Sequence, residues 1–355
     1  MSALHGHGAF EGGGGVGEYR RALAGPAITR DKPPGLHGID ILGGGVRRRS
    51  AVDPESGMGF DLDGWCARVP GLGKVGPDFW SAGDISDVSF PEGGLSMLGE
   101  VEEKSFWFIH RNRFIEGAVR RHPPAGPIFD IGGGNGIVAR HLAEAGFQSV
   151  VVEPDAVGAA LAHRRGLPVI AAAFQDMDIA PGALPAAGLF DVLEHIPEEE
   201  ATLRGLAHAI RPGGRLYISV PAYDLLWADE DVHSGHCRRY TLGRLCRVVT
   251  EAGFRIDYAS YLFAALVPLV LLLRTLPYRL GVKPTHDEEK VARDHVLPES
   301  FSGRMLQASL DFELTRAQRG RRIPVGSSCF VAATRAPRDG RETIGAGRPN
   351  AETPA

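Results

Sequence analysis

The chain has 355 residues, of which 43% are hydrophobic and 23% are charged, and these values are typical of a globular protein with a sizeable core. Its net charge of −4 gives no general attraction to nucleic acid. The longest uncharged stretch, Tyr258–Leu273, is too short to cross a bilayer, and the N-terminus lacks the pattern of a signal peptide. The four cysteines form no C-x-x-C pair. We therefore expect a reduced, cytoplasmic protein without a disulfide framework, a zinc ribbon or a transmembrane segment.

Glycine is concentrated at the start of the chain, where the first 100 residues hold 23 of the 47 glycines. Glycine is costly to order and supplies no packing surface, so residues 1–85 are predicted to be a largely irregular extension. Residues 86–335 are predicted to form the folded domain, opening with a cap helix over residues 96–122. The polar residues 336–355 are predicted to be a disordered tail.

Short apolar runs alternate with helical patterns from Pro127 onward. The predicted strands are Ile128–Ile131, Ser149–Val152, Val169–Ala172, Gly188–Val192, Leu216–Val220, Phe254–Ser260 and Ser328–Thr334. The predicted helices are Ile137–Ala145, Ala156–Arg165, Glu198–Arg211 and Leu242–Ala252. Such alternation indicates an α/β fold with a parallel sheet covered by helices on both faces.

The strongest motif is Asp130-Ile131-Gly132-Gly133-Gly134-Asn135-Gly136, which follows a predicted strand and precedes a predicted helix. A glycine turn at a helix N-terminus lets the backbone approach a ligand closely. The next strand ends in Glu153, whose carboxylate can accept hydrogen bonds from both ribose hydroxyls. The glycines are spaced G-x-G-x-G rather than G-x-G-x-x-G, and Asp130 would repel a pyrophosphate but attract an amino-acid ammonium. The loop therefore favours S-adenosylmethionine over NAD.

With these motifs in order, the chain resembles the class I S-adenosylmethionine-dependent methyltransferases that act on small molecules, over roughly residues 85–335. The resemblance rests on the glycine loop, Glu153, Phe174-Gln175-Asp176, Leu193-Glu194-His195, Arg211-Pro212-Gly213-Gly214, Phe106-Trp107-Phe108 with Arg111-Asn112, Leu226-Trp227, and Gly235-His236-Cys237-Arg238-Arg239-Tyr240. Many relatives carry Cys where Gly133 stands, which is a mild departure.

The resemblance implies a Rossmann-like open sheet of seven strands in the order 3-2-1-4-5-7-6, with the last strand antiparallel and helices on both faces. It also implies which residues bind the cofactor. These are Asp130, Gly132, Gly134, Gly136, Glu153 and Asp191, with Phe174, Gln175 and Asp176 beside the adenine. Arg111 is expected to pair with the cofactor carboxylate through its guanidinium group.

His195 follows the fourth strand of the resembled sheet at its carboxyl end, where ligands bind in such folds. It is a candidate general base, because imidazole titrates near neutral pH. Some similar quinone-type O-methyltransferases hold a divalent cation with such a cluster, so Asp191, Glu194 and His195 form a candidate metal site. Structural support of a helix start is the third interpretation, and the sequence leaves all three open.

The second polar cluster runs from Asp231 to Tyr240, after the fifth strand. Its H-x-x-H-C pattern is half of a zinc site, but no second Cys/His pair accompanies it. His236 is therefore a second catalytic candidate, and Trp227, Arg239 and Tyr240 are candidates for binding the acceptor. The alternative for the arginines is simple pairing with surface acids.

The apolar start of the segment over residues 261–325 is the one indication of acceptor character. It is interpreted as a buried lid or pocket wall, and the alternative is peripheral contact with a membrane, which its lack of a strongly polar face disfavours. The predicted function is methyl transfer to an oxygen of a small molecule of lipophilic or secondary-metabolite type, without nucleic-acid partners. A non-catalytic cofactor-binding module and an NAD-dependent oxidoreductase are the alternatives, and glycine spacing disfavours the second.

Overall fold

The computed structural model describes residues 60–83, 105–282 and 300–337, which contain one mixed sheet of nine strands. The strands are β1 (Gly73–Gly76), β2 (Phe79–Ser81), β3 (Ile128–Ile131), β4 (Ser149–Val152), β5 (Val169–Ala171), β6 (Leu184–Phe190), β7 (Ile210–Pro221), β8 (Phe254–Leu262) and β9 (Ser328–Arg335). Their spatial order is β1-β2-β5-β4-β3-β6-β7-β9-β8.

The α-helices flank these strands in the alternating pattern that the sequence predicts. They are α1 (Leu62–Cys66), α2 (Phe106–Arg121), α3 (Ile137–Glu144), α4 (Ala156–Arg164), α5 (Glu199–Ala209), α6 (Asp229–His233), α7 (Leu242–Glu251), α8 (Leu266–Val270), α9 (Leu276–Arg279) and α10 (Phe301–Gln318). A π-helical turn, Leu271–Thr275, joins α8 to α9. Within the described ranges, no helix is both long and apolar enough to span a membrane.

The seven predicted strands lie in the expected order, because β5-β4-β3-β6-β7-β9-β8 corresponds to 3-2-1-4-5-7-6. Strands β3 to β7 are mutually parallel where they pair, and β9 runs antiparallel to β7 and β8. The prediction of seven strands is nevertheless wrong. The sheet continues beyond β5 through β2, which is parallel to it, and β1, which is antiparallel to β2.

The two additional strands come from the extension that the sequence analysis predicted to be largely irregular. Residues 60–83 instead form α1, β1 and β2, and their Trp65, Cys66 and Trp80 are buried in the main core. β2 has only three residues and is stabilised by pairing with the edge of β5, and the four-residue β1 is stabilised by pairing with β2. Residues 1–59 and 338–355, on which the rest of the extension and the tail were predicted, lie outside the described residues.

Hydrophobic clusters cover both faces of the sheet. Neighbouring residues of β3 point in opposite directions, so Phe129 belongs to the cluster that contains residues of α1, α5 and α7, while Ile128 belongs to the cluster that contains residues of α2, α3 and α10. The cap helix predicted over 96–122 is observed as α2, and residues 96–104 are outside the described part of the chain. The parallel strands consequently end at one edge, where the loops after β3, β4, β6 and β7 meet.

Candidate cofactor and active site

The glycine loop between β3 and α3 needs glycine for different reasons at different positions. Gly132, Gly134 and Gly136 all have positive φ, at 68°, 55° and 79°. A Cβ on Gly132 would lie 2.9 Å from a methyl of Val192, and one on Gly136 would lie 2.6 Å from a methyl of Leu167. Gly132 and Gly136 are therefore required by packing, while Gly134 directs its N–H toward the next strand.

Glu153 accepts that N–H at the end of β4. Its Oε2 atom is 2.7 Å from the Gly134 nitrogen, and its Oε1 atom is 2.7 Å from the Asp155 nitrogen. Burial raises the pKa of this carboxyl group to about 7, although both backbone hydrogen bonds oppose the shift. The carboxylate thus holds the glycine loop against β4 at the position where a ribose is predicted to bind.

Asp130 is a buried carboxylate within β3, directly under the loop. Its Oδ1 atom is enclosed and has no hydrogen-bond partner among the described residues. Burial raises its pKa to about 7, and the positive charge of Arg111 opposes this shift. An enclosed acceptor without a donor is costly, so its chemistry suits a ligand that brings an N–H group, such as an ammonium.

Arg111 lies on α2 and binds Asp191 in this structure. Its Nη1 atom is 2.5 Å from Asp191 Oδ2, and its guanidinium group lies 4.9 Å from the ring centres of Trp107 and Phe108. Asp191 follows β6 and has a φ of +57°, a conformation that costs free energy for a side chain with a Cβ. The pairing of Arg111 with the cofactor carboxylate stays a prediction, and Asp191 is the partner that holds the guanidinium at this edge.

The predicted adenine neighbours form a short 3-10 turn after β5. Phe174 is buried in the main core, where its ring approaches α5, while Gln175 and Asp176 are exposed. Phe174 therefore has a packing role in this structure, and its contact with adenine stays a prediction.

Glu194 and His195 lie in a 3-10 turn after β6. Glu194 is fully buried, and neither carboxyl oxygen has a hydrogen-bond partner in the part of the chain that the structure describes. Burial and the nearby charge of Asp191 raise its pKa well above the ordinary value. Burial, and then the neighbouring His236, lower the pKa of His195 to about 4, so its imidazole is neutral at physiological pH.

His236 reaches this turn from the loop after β7. Its ring packs edge-on against the His195 ring, with 4.7 Å between centres. The backbone N–H of Cys237 donates to the Glu194 carbonyl at 2.8 Å, and Arg238 donates to the Ile196 carbonyl at 2.8 Å. The loop is therefore docked on the 3-10 turn, which brings together the two predicted catalytic histidines.

Asp231 is the residue that holds this loop, and the sequence analysis gave it no role of its own. Its buried carboxylate accepts hydrogen bonds from His236 Nδ1 at 2.7 Å and from Arg239 at 2.7 and 2.9 Å. The Ala228 backbone N–H adds a fourth bond at 2.8 Å. These bonds lower the pKa of Asp231 against the effect of burial. The five-residue spacing from Asp231 to His236 carries no familiar signature, so only the folded loop reveals the pair.

The predicted acceptor-binding residues differ in their surroundings. Tyr240 is fully buried and its hydroxyl donates to Glu199, and Arg239 is held by Asp231, so both have structural partners here. Trp227 is half-buried beside them. Their contact with an acceptor stays a prediction.

Glu194, His195 and His236 form a cluster whose ligand groups suit a divalent metal ion. Among the described residues, one ligand atom each from Glu194, His195 and His236 lies within 4.8 Å of the others. The metal site predicted from the sequence contained Asp191 together with Glu194 and His195. In the structure Asp191 is bound by Arg111, and His236 is the third residue of the cluster. A carboxylate and neutral imidazoles are ordinary ligands of such ions.

Comparison with known proteins finds a matching family model. Residues 106–259 match the model of a family described as a methyltransferase domain. Over this stretch, which is less than half of the chain, the protein is similar to methyltransferase domains. The match spans β3 to β7 with the glycine loop and both histidines, and the resemblance to S-adenosylmethionine-dependent methyltransferases is confirmed.

Several curated proteins are similar to the methyltransferase domain. The ubiquinone biosynthesis O-methyltransferase of Xanthomonas axonopodis pv. citri is 28% identical over 109 residues, covering 29% of this chain and 46% of that protein. The protein of the same name from Chromobacterium violaceum is 28% identical over 129 residues, covering 34% and 52%. The matched stretch thus spans about half the length of these relatives.

Solved structures are similar at lower identity. The Haemonchus contortus phosphoethanolamine N-methyltransferase 2 in complex with S-adenosyl-L-methionine has a TM-score of 0.45 and 17% identity, covering 70% of this chain and 58% of that one. The geranyl diphosphate C-methyltransferase from Streptomyces coelicolor A3(2) has a TM-score of 0.38 and 15% identity, covering 60% and 70%.

Proposed function

We propose that this protein transfers the methyl group of S-adenosylmethionine to an oxygen of a small, lipophilic acceptor carrying an aromatic hydroxyl. The observation that carries the proposal is the cradle formed by the glycine loop, Glu153 and Asp130 next to the paired His195 and His236. The oxygen acceptor is supported by the similarity to O-methyltransferases of ubiquinone biosynthesis.

The cofactor would lie across the carboxyl ends of β3 and β4. Glu153 would accept the ribose hydroxyls, and the unpartnered oxygen of Asp130 would accept the ammonium of the methionine part. The sulfonium supplies an activated methyl group when bound. The protein's own task is then to hold an acceptor oxygen in line with that methyl group and to accept its proton.

His236 is the better base of the two histidines. The burial that lowers the pKa of His195 to about 4 makes it a weak proton acceptor at neutral pH. His236 donates from Nδ1 to Asp231, which fixes its tautomer and leaves Nε2 to accept a proton. His236 Nε2 would accept the proton of the acceptor hydroxyl as its oxygen takes the methyl group, and the broken carbon–sulfur bond would leave S-adenosylhomocysteine as the other product.

The test is transfer of labelled methyl from S-adenosylmethionine to a panel of phenols, catechols, amines and carboxylic acids. We expect label in the phenols or catechols, and His236→Ala to lower kcat by about 10²–10⁴-fold with affinity for S-adenosylhomocysteine retained. Added imidazole should partly restore this variant. His233→Ala, an exposed histidine of the same loop, is the matched control and should retain activity.

Asp231→Asn tests, in the same assay, whether Asp231 orients the imidazole of His236. We expect kcat to fall while KM and the cofactor affinity change little, because the variant loses orientation of the base rather than a binding contact. Loss of activity on chelation, with metal titration restoring it, would assign Glu194, His195 and His236 to a divalent ion instead. Absence of label in every acceptor class, together with normal cofactor binding, would favour a binding module and overturn the catalytic proposal.

A further inference from the structure

The helical stretch from α8 to α9 exposes a row of leucines. Leu272, Leu273 and Leu280 are 58%, 70% and 71% exposed, and Leu269 and Leu276 are exposed beside them. The opposite side of the stretch packs on the protein through the buried Leu266 and Thr275. A helix that is apolar on both sides is normally enclosed on both sides, so the outer row lacks an expected covering. We call these five leucines the leucine row.

The charged residues of the helical stretch itself are all basic, and the acid Glu230 approaches it from the loop after β7. The sequence has no Asp or Glu from residue 258 to residue 286, whereas it has Arg274, Arg279 and Lys283. Arg274 and Arg279 are exposed on the stretch itself. Glu230 offsets Arg274, whereas Arg279 donates to a backbone carbonyl and keeps its positive charge. Exposed leucines with a net positive charge beside them match the surface of a bilayer that contains anionic lipids, where apolar burial and charge attraction act together.

The leucine row adjoins the loop that carries His236. Arg279 donates to the Leu225 carbonyl at 3.1 Å, and Arg274 lies 3.3 Å from the Glu230 carboxylate. Leu225 and Val232, in the same loop, are themselves more than half exposed. Exposed apolar side chains therefore lie both on the leucine row and on the adjoining loop that carries His236.

We propose that the leucine row is a peripheral binding surface for membranes containing anionic lipids. It lies flat on the bilayer with the leucines among the lipid chains and the arginines at the headgroups, and the acceptor reaches the active site from the lipid phase. This last point rests on the proposed function. The sequence analysis favoured a buried lid because the segment lacks a polar face, but here the protein itself covers that side of the helices.

Two other coverings fit the observations less well. A second copy related by two-fold symmetry would bring the arginines of both copies into one apolar interface. Residues 283–299 are rich in charge, and Val291, Ala292, Val296 and Leu297 are their only Ala, Val, Leu, Ile, Met or aromatic residues. That is too little apolar surface to cover five leucines.

The experiment is sedimentation of the full chain with phosphatidylcholine vesicles, with and without phosphatidylglycerol, in the absence of cofactor and acceptor. We expect binding to the anionic vesicles that weakens as salt increases. Leu272→Gln, Leu273→Gln and Leu276→Gln, combined, should weaken it by about a hundredfold, at roughly fivefold for each half-exposed leucine. Glutamine retains helix preference, and these side chains are exposed, so the variant should fold.

Val157→Gln combined with Val325→Gln is the matched control, because both valines are exposed but lie on other elements. The control should bind vesicles as the natural protein does. The proposal is overturned if the natural protein stays in solution with both vesicle types, or if both variants lose binding equally. It is also overturned if the natural protein is a dimer that the leucine variant converts to a monomer without any vesicle binding. Since the assay needs no methyl transfer, failure of the proposed function would leave its result unchanged.

Discussion

Glu153→Gln tests the electrostatics of the cofactor site through stability. The carboxyl group accepts two backbone N–H groups, from Gly134 and Asp155, and burial raises its pKa from 4.5 to about 7. At about 1.4 kcal/mol per pKa unit, keeping it ionised in the folded protein costs about 3 kcal/mol. Because the pKa is raised on folding, the folded state favours the protonated carboxyl group. This stabilisation is fully present below the ordinary pKa of the group and is lost as the pH rises through about 7.

Glutamine cannot ionise, but its single oxygen can accept only one of the two N–H groups. We expect the variant to be less stable than the natural protein by about 1–3 kcal/mol at about pH 5. At about pH 8.5 this difference should shrink by about 3 kcal/mol, so that it disappears or reverses. The measurement is the free energy of unfolding by urea, without cofactor, at a series of pH values.

Glu144→Gln is the control, because Glu144 is an exposed residue whose substitution should give a difference that does not vary with pH in this range. Cofactor affinity should change with pH in the direction opposite to stability. The ionised Glu153 is the form that accepts ribose hydroxyls, so affinity for S-adenosylhomocysteine should rise through about pH 7 in the natural protein and less in Glu153→Gln. A stability difference that stays constant from acid to alkaline pH would refute the raised pKa.

Four further predictions concern the same edge of the sheet. Gly136→Ala should lower the free energy of unfolding by at least about 2 kcal/mol, measured by urea, because its Cβ meets packed side chains at a positive φ. Gly134→Val should abolish binding of S-adenosylhomocysteine in calorimetry while the far-UV circular dichroism stays that of the folded protein, and unchanged affinity would contradict the assigned loop. Asp191→Asn should release Arg111 and weaken cofactor binding about tenfold or more, and equal affinity would show that the pair is only structural. His195→Ala should retain most of the turnover if His236 is the base, whereas loss equal to that of a chelated natural enzyme would identify a metal ligand.

The central strands were predictable because their signal is local. Each is a short apolar run between helical patterns, and β3, β4 and β6 are fully buried on both faces. β1 and β2 were not predictable in this way. β1 has two glycines in four residues and β2 is only three residues long, so neither shows a clear pattern, and the partner of β2, β5, lies about ninety residues further along the chain.

The candidate site likewise contains residues that a local sequence pattern predicts and residues that only the folded structure brings together. The glycine loop and Glu153 follow from residue types next to predicted strand ends. The Asp231–His236 pair and the fourfold role of Asp231 depend on a five-residue helix and on docking against the turn at Glu194, and neither leaves a pattern in the sequence. Burial also changes the role that can be assigned to His195. Its place after a predicted strand indicates a general base, but burial lowers its pKa to about 4.

The pairing of β2 with β5 determines where this domain can be shortened. Without residues 60–83, β5 would present a row of unpaired backbone N–H and C=O groups at the sheet margin, and the contacts of Trp65 and Trp80 with the core would be lost. Bare edges of this kind recruit strands from other molecules. A chain trimmed to residue 105, at the start of the helix before the glycine loop, should therefore aggregate, whereas one trimmed to residue 60 should keep its solubility.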